Sequence, residues 1–229
     1  MKTLGLLAGM SWESSVLYYQ HLNRMARQAL GGQHSAELLI WSSDFAPMAA
    51  MQAAGEWERA GAVLAGAARR LEGAGADAIL ICANTMHKLV PEVAAAVSIP
   101  VIHVADATAA AIKVAGVRHP LLLATRFTME QDFYRERLQA NGVGARIPDA
   151  EARSRLHAII YDELIQGRIE PASRAAVIAM VRHAAGQGAD GVIFGCTEIG
   201  LLVGPSDLPV PVFDTTEIHA RAGMDFALG

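Results

Sequence analysis

One segment of the chain occurs twice, and this repeat constrains the fold more than any other feature. GADAILICANTMHKLV begins at Gly75 and GADGVIFGCTEIGLLV begins at Gly188, an offset of 188 − 75 = 113 residues. Each copy opens with Gly-Ala-Asp after a predicted helix and continues as an apolar stretch of strand length. Two weaker matches follow the same order: LAGMSWESSVLYYQ with LATRFTMEQDFYRE, and Ile99-Pro100-Val101 with Leu208-Pro209-Val210. Together they predict a duplicated α/β half.

Short apolar strands alternate with amphipathic helices along the chain. Strands are predicted at 3–9, 37–42, 77–83, 100–104, 120–125, 143–147, 191–195 and 211–214. This alternation is typical of parallel sheets covered by helices on both faces. We expect two α/β domains, residues 1–104 plus 209–229 and residues 105–208. Because ligands bind at the carboxyl ends of parallel strands, we expect the active site in the cleft between the domains.

Composition and motif spacing exclude several classes of protein. A net charge of −4 gives no reason to expect a nucleic-acid or membrane partner. No apolar run reaches the roughly 18 residues of a membrane span. Two cysteines without a secretion signal indicate a reduced, cytoplasmic protein. The eight histidines lack paired metal-ligand spacing, and GLLAGM lacks the dinucleotide fingerprint, so neither a metal nor NAD is expected.

The repeat separates the two cysteines by function. Subtracting the offset from residue 196 gives 196 − 113 = 83, so Cys196 corresponds to Ala83 and Cys82 corresponds to Gly195. Successive side chains of a strand point to opposite faces. If residue 83 faces the cleft, Cys82 faces its own domain and acts as a small buried apolar residue.

Cys196 stands at a strand end where a helix is predicted to begin. Backbone N–H groups and the positive end of a helix lower the pKa of a thiol, so we expect a reactive thiolate at this position. Gly195 would allow a sharp turn before it. A packed strand-end cysteine is the alternative.

Polar groups at the neighbouring strand ends suit a carboxylate ligand. Asn84, Thr85 and Thr197 offer amide, hydroxyl and backbone N–H donors, although simple helix capping is the alternative. Met10 and Ser11 end the first strand and are candidates for the floor of the same site.

Two further segments offer weaker candidates. Asp44 and Gln52 flank a predicted loop after the second strand and are candidate ligands, with a capping or turn role as the alternative for Asp44. His87 and Lys88 are predicted to lie on a solvated helix face.

Four motifs resemble those of the aspartate/glutamate racemase superfamily, in particular its bacterial amino-acid racemases: LLAGMSWESS, CANTMHK, TRFTMEQDFYRERL and GVIFGCTEIGLLV. The resemblance covers nearly the whole chain. It implies two Rossmann-like domains related by a pseudo-twofold axis, with the active site between them. It also implies a homodimer and a cofactor-independent racemase of an acidic amino acid.

Enzymes of this family remove and replace the α-proton of an amino acid with two thiols on opposite faces of the substrate. By the resemblance, Cys196 matches one thiol, and Ala83 stands where the second thiol is usual. The substrate would be held by Met10, Gln52, Asn84, Thr85 and Thr197. Some relatives have a lysine near the segment YDELIQG, where this chain has Ile165 and Gln166, and Arg126 is a possible substitute.

Ala83 cannot transfer protons, and several interpretations remain open. A water beside Ala83 and Thr85 is one substitute for the second acid/base. Cys196 alone could also exchange the proton with retention, or the alanine could replace a natural threonine or cysteine.

Other functional classes are also open. A one-thiol lyase that decarboxylates malonate derivatives and a non-catalytic binder of acidic metabolites are the main alternatives. A pyridoxal enzyme is disfavoured because Lys2, Lys88 and Lys113 do not stand at convincing strand ends.

Overall fold

The chain folds into two compact units, each built around its own sheet. The computed structural model describes residues 1–229. Unit 1 comprises Met1–Val104 and His219–Gly229, and unit 2 comprises Ala105–Ile218. The strands pair in parallel in both sheets, so the predicted α/β class with parallel sheets is confirmed.

Strands and helices alternate as predicted. The first half contains β1 (Leu4–Ala8), α1 (Trp12–Leu30), β2 (Leu38–Ser42), α2 (Phe45–Ala54), α3 (Trp57–Gly73), β3 (Ala78–Ile81), a 3-10 helix (Thr85–Leu89), α4 (Val90–Ala94) and β4 (Val101–Ile102). The second half contains α5 (Val104–Val114), β5 (Pro120–Ala124), α6 (Arg126–Glu130), α7 (Asp132–Ala140), α8 (Ala150–Ala158), a π-helical turn (Ile159–Glu163), a 3-10 turn (Leu164–Gln166), α9 (Pro171–Gly186), β6 (Gly191–Gly195), α10 (Ile199–Leu202), a 3-10 turn (Pro205–Asp207), β7 (Val212–Asp214) and α11 (Thr215–Leu228).

The sheet of unit 1 has the strand order β2-β1-β3-β4. Its middle strands β1 and β3 are buried over their full length because helices cover both faces of the sheet. On one face α3 contributes Leu64, Ala68 and Leu71, which recur at helical spacing. On the other face α1 and α11 contribute core residues such as Leu22 and Met224. This two-sided burial explains why the strands are continuously apolar.

The sheet of unit 2 has the strand order β5-β6-β7 and places a domain boundary differently from the prediction. β7 pairs with β6, for example through Val192 and Val212. This pairing holds residues 209–218 in unit 2, so their predicted assignment to the first domain is corrected. The chain returns to unit 1 only within α11, at His219.

The strand predicted at 143–147 does not form. Only Arg146 pairs, through a single parallel bridge to Leu121. A positive φ of 81° at Gly142 turns the chain just before this segment. Pro148 follows it and has no N–H to extend a ladder, so pairing stops after one bridge.

The two copies of the repeat have the same local structure. Gly75 and Gly188 both adopt positive φ angles, 101° and 89°, at the end of a helix. The following aspartates then each accept a backbone N–H at the start of the neighbouring strand: Asp77 from Thr3 and Asp190 from His119, both at 2.7 Å. The Gly-Ala-Asp motif is therefore a structural device that docks β3 and β6 onto their neighbours.

Candidate active site

The ends of β3 and β6 carry the positions that the repeat singled out. Cys82 is fully buried and packs in the core cluster that contains Leu80, whereas Ala83 packs against the opposite cluster, which contains Ile81. The prediction that Cys82 and Ala83 point to opposite faces is therefore confirmed, and Cys82 is a core residue. Burial raises the pKa of the Cys82 thiol far above its ordinary range, which makes it unreactive.

Cys196 follows β6 directly and contacts a carboxylate. Its side chain is 8% exposed, and its Sγ donates a hydrogen bond to Glu198 Oε2 over 3.0 Å. The hydroxyl of Thr197 donates to the same oxygen over 2.6 Å. Glu198 is only 3% exposed. A thiol, a hydroxyl and a buried carboxylate thus form one hydrogen-bonded group within three consecutive residues.

The local backbone explains how this group forms. A Cβ on Gly195 would lie 2.8 Å from Leu122 Cδ1 and 3.0 Å from the Ala124 side chain, so the close neighbouring strand requires glycine here. The sequence predicts a sharp turn at this glycine, but Gly195 is the last residue of β6 and has no positive φ, so close packing is what favours glycine here. The turn follows immediately, where the Ile199 N–H donates to the Cys196 carbonyl and folds Glu198 back toward the sulfur.

The thiolate expected at Cys196 is not supported by its surroundings. Burial raises the pKa of the Cys196 thiol well above its ordinary value, and the negative charge of Glu198 raises it further. A backbone N–H, the effect on which the prediction rested, lowers the pKa but is outweighed. The resting group is therefore a neutral thiol whose proton points at a carboxylate.

Glu198 is the main residue that the sequence analysis did not assign. The sequence feature that could have pointed to Glu198 is its position, two residues after a candidate thiol and just before a predicted helix. Spacing alone did not reveal that the chain turns between the two side chains. A carboxylate in this position can accept the thiol proton, which gives the site a built-in proton acceptor.

Tyr161 is a second unassigned residue near this group. It lies in the π-helical turn. Such turns are rare in proteins overall, and those that occur are often found at functional sites. Burial, Cys196 and Glu198 together raise the pKa of Tyr161 to about 12, while the positive charge of Arg126 opposes the rise. Arg126, a predicted ligand, is exposed, and its backbone N–H donates to His157 Nδ1 over 3.3 Å. Tyr161 therefore lies within the electrostatic influence of both Arg126 and the Cys196–Glu198 pair.

In unit 1 the predicted substrate-holding side chains are buried close to the end of β3: Met10, Gln52, Asn84 and Thr85. Gln52 Nε2 lies 2.8 Å from Met86 Sδ, which ties α2 to the segment after Ala83. Asn84 makes no side-chain cap hydrogen bond, so the capping alternative is wrong for this residue.

The segment that carries Gln52 is a helix and not the predicted loop. Asp44 caps α2, with its carboxylate accepting the Ala46 N–H over 3.1 Å. Pro47 is the third residue of the helix, where its missing N–H costs no hydrogen bond. Asp44 is therefore a capping residue, and α2 fixes the position of Gln52.

His87 and Lys88 differ from the predicted solvated pair. His87 is 2% exposed and forms part of a buried histidine cluster with His103 and His219. Lys88 is half-buried, with its ammonium 4.2 Å from the ring centre of Trp57.

Two further structural features bear on function. No group of three or more His, Cys, Asp or Glu side chains is arranged to hold a metal ion. None of the helices combines the length and apolar character that crossing a membrane requires.

Comparisons with known proteins identify the family. The sequence model of the Asp/Glu/Hydantoin racemase family matches residues 7–223. A structure from Yersinia pestis, described as that of a candidate Asp/Glu racemase, is 47% identical with a TM-score of 0.93, and the match covers 100% of both chains. An aspartate racemase homologue from Pyrococcus horikoshii OT3 is 34% identical with a TM-score of 0.87 over 100% of both chains.

A third relative is the broad-specificity amino-acid racemase RacX of Bacillus subtilis strain 168. It is 23% identical, over 96% of this chain and 95% of its own length. The chain belongs to the Asp/Glu/Hydantoin racemase family, as the motif resemblance predicted, and is an isomerase of the racemase type.

Proposed function

We propose that the protein exchanges the α-proton of an acidic amino acid, aspartate or glutamate, without a cofactor and with Cys196 as the acid/base. The observation that carries this proposal is the hydrogen bond of 3.0 Å from the Cys196 thiol to Glu198. In a racemase family, a buried thiol beside a carboxylate is a site for reversible proton transfer.

The proton transfer proceeds in two balanced steps. Glu198 accepts the S–H proton, which leaves a Cys196 thiolate and a neutral carboxyl group. The thiolate then takes the α-proton, and the electron pair of the C–H bond stays on the substrate as a carbanion. N–H and O–H donors around the substrate carboxylate stabilise this charge, and Asn84, Thr85 and Thr197 are proposed for that role. Returning the protons reverses both steps.

The alanine at position 83 determines the stereochemical outcome. By the resemblance, Ala83 stands at the second acid/base position, and a methyl group can neither give nor take a proton. We propose that the proton taken up by Cys196 exchanges with solvent, and that Cys196 then returns a solvent-derived proton to the same face more often than water protonates the other face. Exchange with retention is then faster than racemisation.

Deuterium incorporation tests the proposal. L- and D-aspartate and L- and D-glutamate are incubated with the protein in deuterated water, and α-deuterium is followed by NMR. Incorporation is expected with one enantiomer above all, and Cys196→Ala should abolish it.

Cys82→Ala is the matched control, because it removes the other cysteine from the opposite face of the sheet. This variant should retain exchange. No incorporation by the parent protein with any of the four compounds would contradict the proposal, as would a Cys196→Ala variant that exchanges at the parent rate.

Ala83 also favours one second candidate, decarboxylation of a substituted malonate. A single thiol suffices there, since loss of carbon dioxide generates the carbanion and Cys196 only needs to protonate it. Release of carbon dioxide from methylmalonate that depends on Cys196, without α-proton exchange of the amino acids, would favour this candidate.

A further inference from the structure

The ring of His87 connects two backbone segments of unit 1. Its Nδ1 lies 3.0 Å from the carbonyl oxygen of Ala83, and its Nε2 lies 3.1 Å from the backbone nitrogen of Val104. The ring is almost completely buried. One side chain therefore joins Ala83, two residues beyond the end of β3, to Val104, the residue that begins α5.

The Ile102 carbonyl also lies near the ring, but the contacts with Ala83 and Val104 define its protonation state. The Val104 N–H is a donor, so Nε2 must accept and carries no proton. The Ala83 carbonyl only accepts, so Nδ1 carries the proton and donates it. His87 is thus a neutral Nδ1–H tautomer. Burial, together with His219 and His103, holds the pKa of His87 well below its ordinary value, in agreement with this neutral form.

The contact continues the sheet where the ladder has ended. β3 and β4 pair only at Ile79–Val101 and Leu80–Ile102. Beyond these pairs, the His87 ring takes the place of a further backbone hydrogen bond between the two strand ends. The following 3-10 helix starts without a side-chain cap bond from Asn84.

We propose that His87 is a positioning residue for the reaction, and that its Nδ1–H fixes the Ala83 carbonyl and with it the backbone that presents Asn84 and Thr85. This inference rests on the proposed function, since it assumes that these residues meet the substrate. His87, predicted to lie on a solvated helix face, thereby has a role in the site.

Two substitutions remove the two hydrogen bonds of the ring one at a time. The amide nitrogen of asparagine can take the place of Nδ1, so His87→Asn keeps the donor to Ala83 and loses the acceptor for Val104. The amide oxygen of glutamine can take the place of Nε2, so His87→Gln keeps that acceptor and loses the donor to Ala83. We expect kcat/KM for exchange of L-aspartate to fall about tenfold or more in His87→Gln and by no more than about threefold in His87→Asn, because small displacements of a site cost large factors in rate.

Tyr18→Phe is the control for a general disturbance of the cluster. It removes the hydroxyl that lies 2.8 Å from His219 Nδ1 and leaves both contacts of His87 in place. This variant should lose stability but keep the parent exchange rate. Equal losses of exchange in His87→Gln and His87→Asn, in proportion to their loss of stability, would overturn the proposal.

A spectroscopic readout separates this proposal from the proposed function. The carbonyl ¹³C shift of Ala83 should change in His87→Gln and stay near the parent value in His87→Asn. If the parent exchanges no aspartate or glutamate proton, the proposed function fails, and this shift alone decides the role of His87. An Ala83 carbonyl ¹³C shift that has the same value in His87→Gln and in His87→Asn would overturn the proposed role of His87.

Discussion

Lowering the pH below 6.5 is expected to destabilise unit 1 through its buried histidines. His219 is fully buried, and its Nε2 lies 2.8 Å from the Ile102 carbonyl oxygen, which can only accept a hydrogen bond. Nε2 therefore carries the proton, and Nδ1 accepts from the Tyr18 hydroxyl over 2.8 Å. Adding a second proton would remove that acceptor and place a charge in the core next to His87 and His103.

The size of the effect follows from the shift. Burial lowers the pKa of His219 to about 4, against an ordinary value near 6.5. The unfolded chain therefore binds the proton first as the pH falls, so the stability is complete above pH 6.5 and is lost as the pH falls toward 4. The slope approaches about 1.4 kcal/mol per pH unit below pH 6.5, so His219 alone should cost unit 1 about 2 kcal/mol between pH 6.5 and 4.5. His87 adds to the loss with the same sign, because its pKa is also lowered.

Tryptophan fluorescence isolates this effect, since Trp12, Trp41 and Trp57 all lie in unit 1. Urea unfolding curves at several pH values between 7 and 4.5 would give the free energy of unfolding of this unit. Carboxylates also begin to titrate near pH 4.5, so the histidine contribution is taken from the comparison with His219→Gln, which keeps every carboxylate. His219→Gln cannot titrate, and its stability should fall less steeply with pH by about 1.4 kcal/mol per unit. A free energy of unfolding that is constant from pH 6.5 to 4.5, or an unchanged slope in His219→Gln, would refute the reasoning.

Two further predictions concern the backbone of unit 1 and the Cys196 site. Gly9→Ala should destabilise unit 1 by about 3 kcal/mol or more, measured by urea unfolding, because φ is +82° and a Cβ would overlap the Ser43 backbone. Gly55→Ala is the control: its φ is +73° but a Cβ would meet open space, so it should cost only about 1 kcal/mol. Equal losses of stability in the two variants would contradict this prediction. Glu198→Gln should lower the pKa of Cys196 by removing a negative charge, so that iodoacetamide reacts with the thiol at lower pH. Because the Glu198→Gln variant lacks the proton acceptor, its rate of α-proton exchange should rise about tenfold for each unit by which the pH is raised, up to the pKa of the thiol. The parent rate should stay constant near neutral pH. Identical pH profiles of the two proteins would contradict the role of Glu198.

The repeat made much of the fold predictable. Gly-Ala-Asp and the apolar stretch after it are local signals, and each copy folds locally into a helix end and a buried strand. Because strand side chains alternate, the offset of 113 residues was enough to place Cys82 in the core and Ala83 on the other face.

Features that depend on turns or on distant contacts could not be predicted in the same way. The contact of Glu198 with Cys196 depends on a turn after β6, and this contact reverses the expected direction of the pKa shift of the thiol. The buried His87 accepts a hydrogen bond from the N–H of Val104, seventeen residues away, a contact that the local pattern does not specify. The assignment of residues 209–218 to unit 2 depends on β7 pairing with β6, a contact between strands that the local pattern does not specify.

α2 was missed for a more local reason. A proline beside methionines suggested a loop after the second strand. Pro47 lies in the first turn of the helix, where proline is tolerated, and Asp44 supplies the cap. The pattern was therefore compatible with a helix start, and only the structure distinguishes the two.

The most direct test of the account is the ratio of α-proton exchange to racemisation in the parent protein and in Ala83→Cys. Both rates can be measured on the same acidic amino acid, by deuterium incorporation and by chiral chromatography. The account predicts a parent that exchanges faster than it racemises, and a variant in which the new thiol raises racemisation about tenfold or more while exchange changes little. A folded Ala83→Cys protein that racemises no faster than the parent, on a substrate that the parent exchanges, would contradict it.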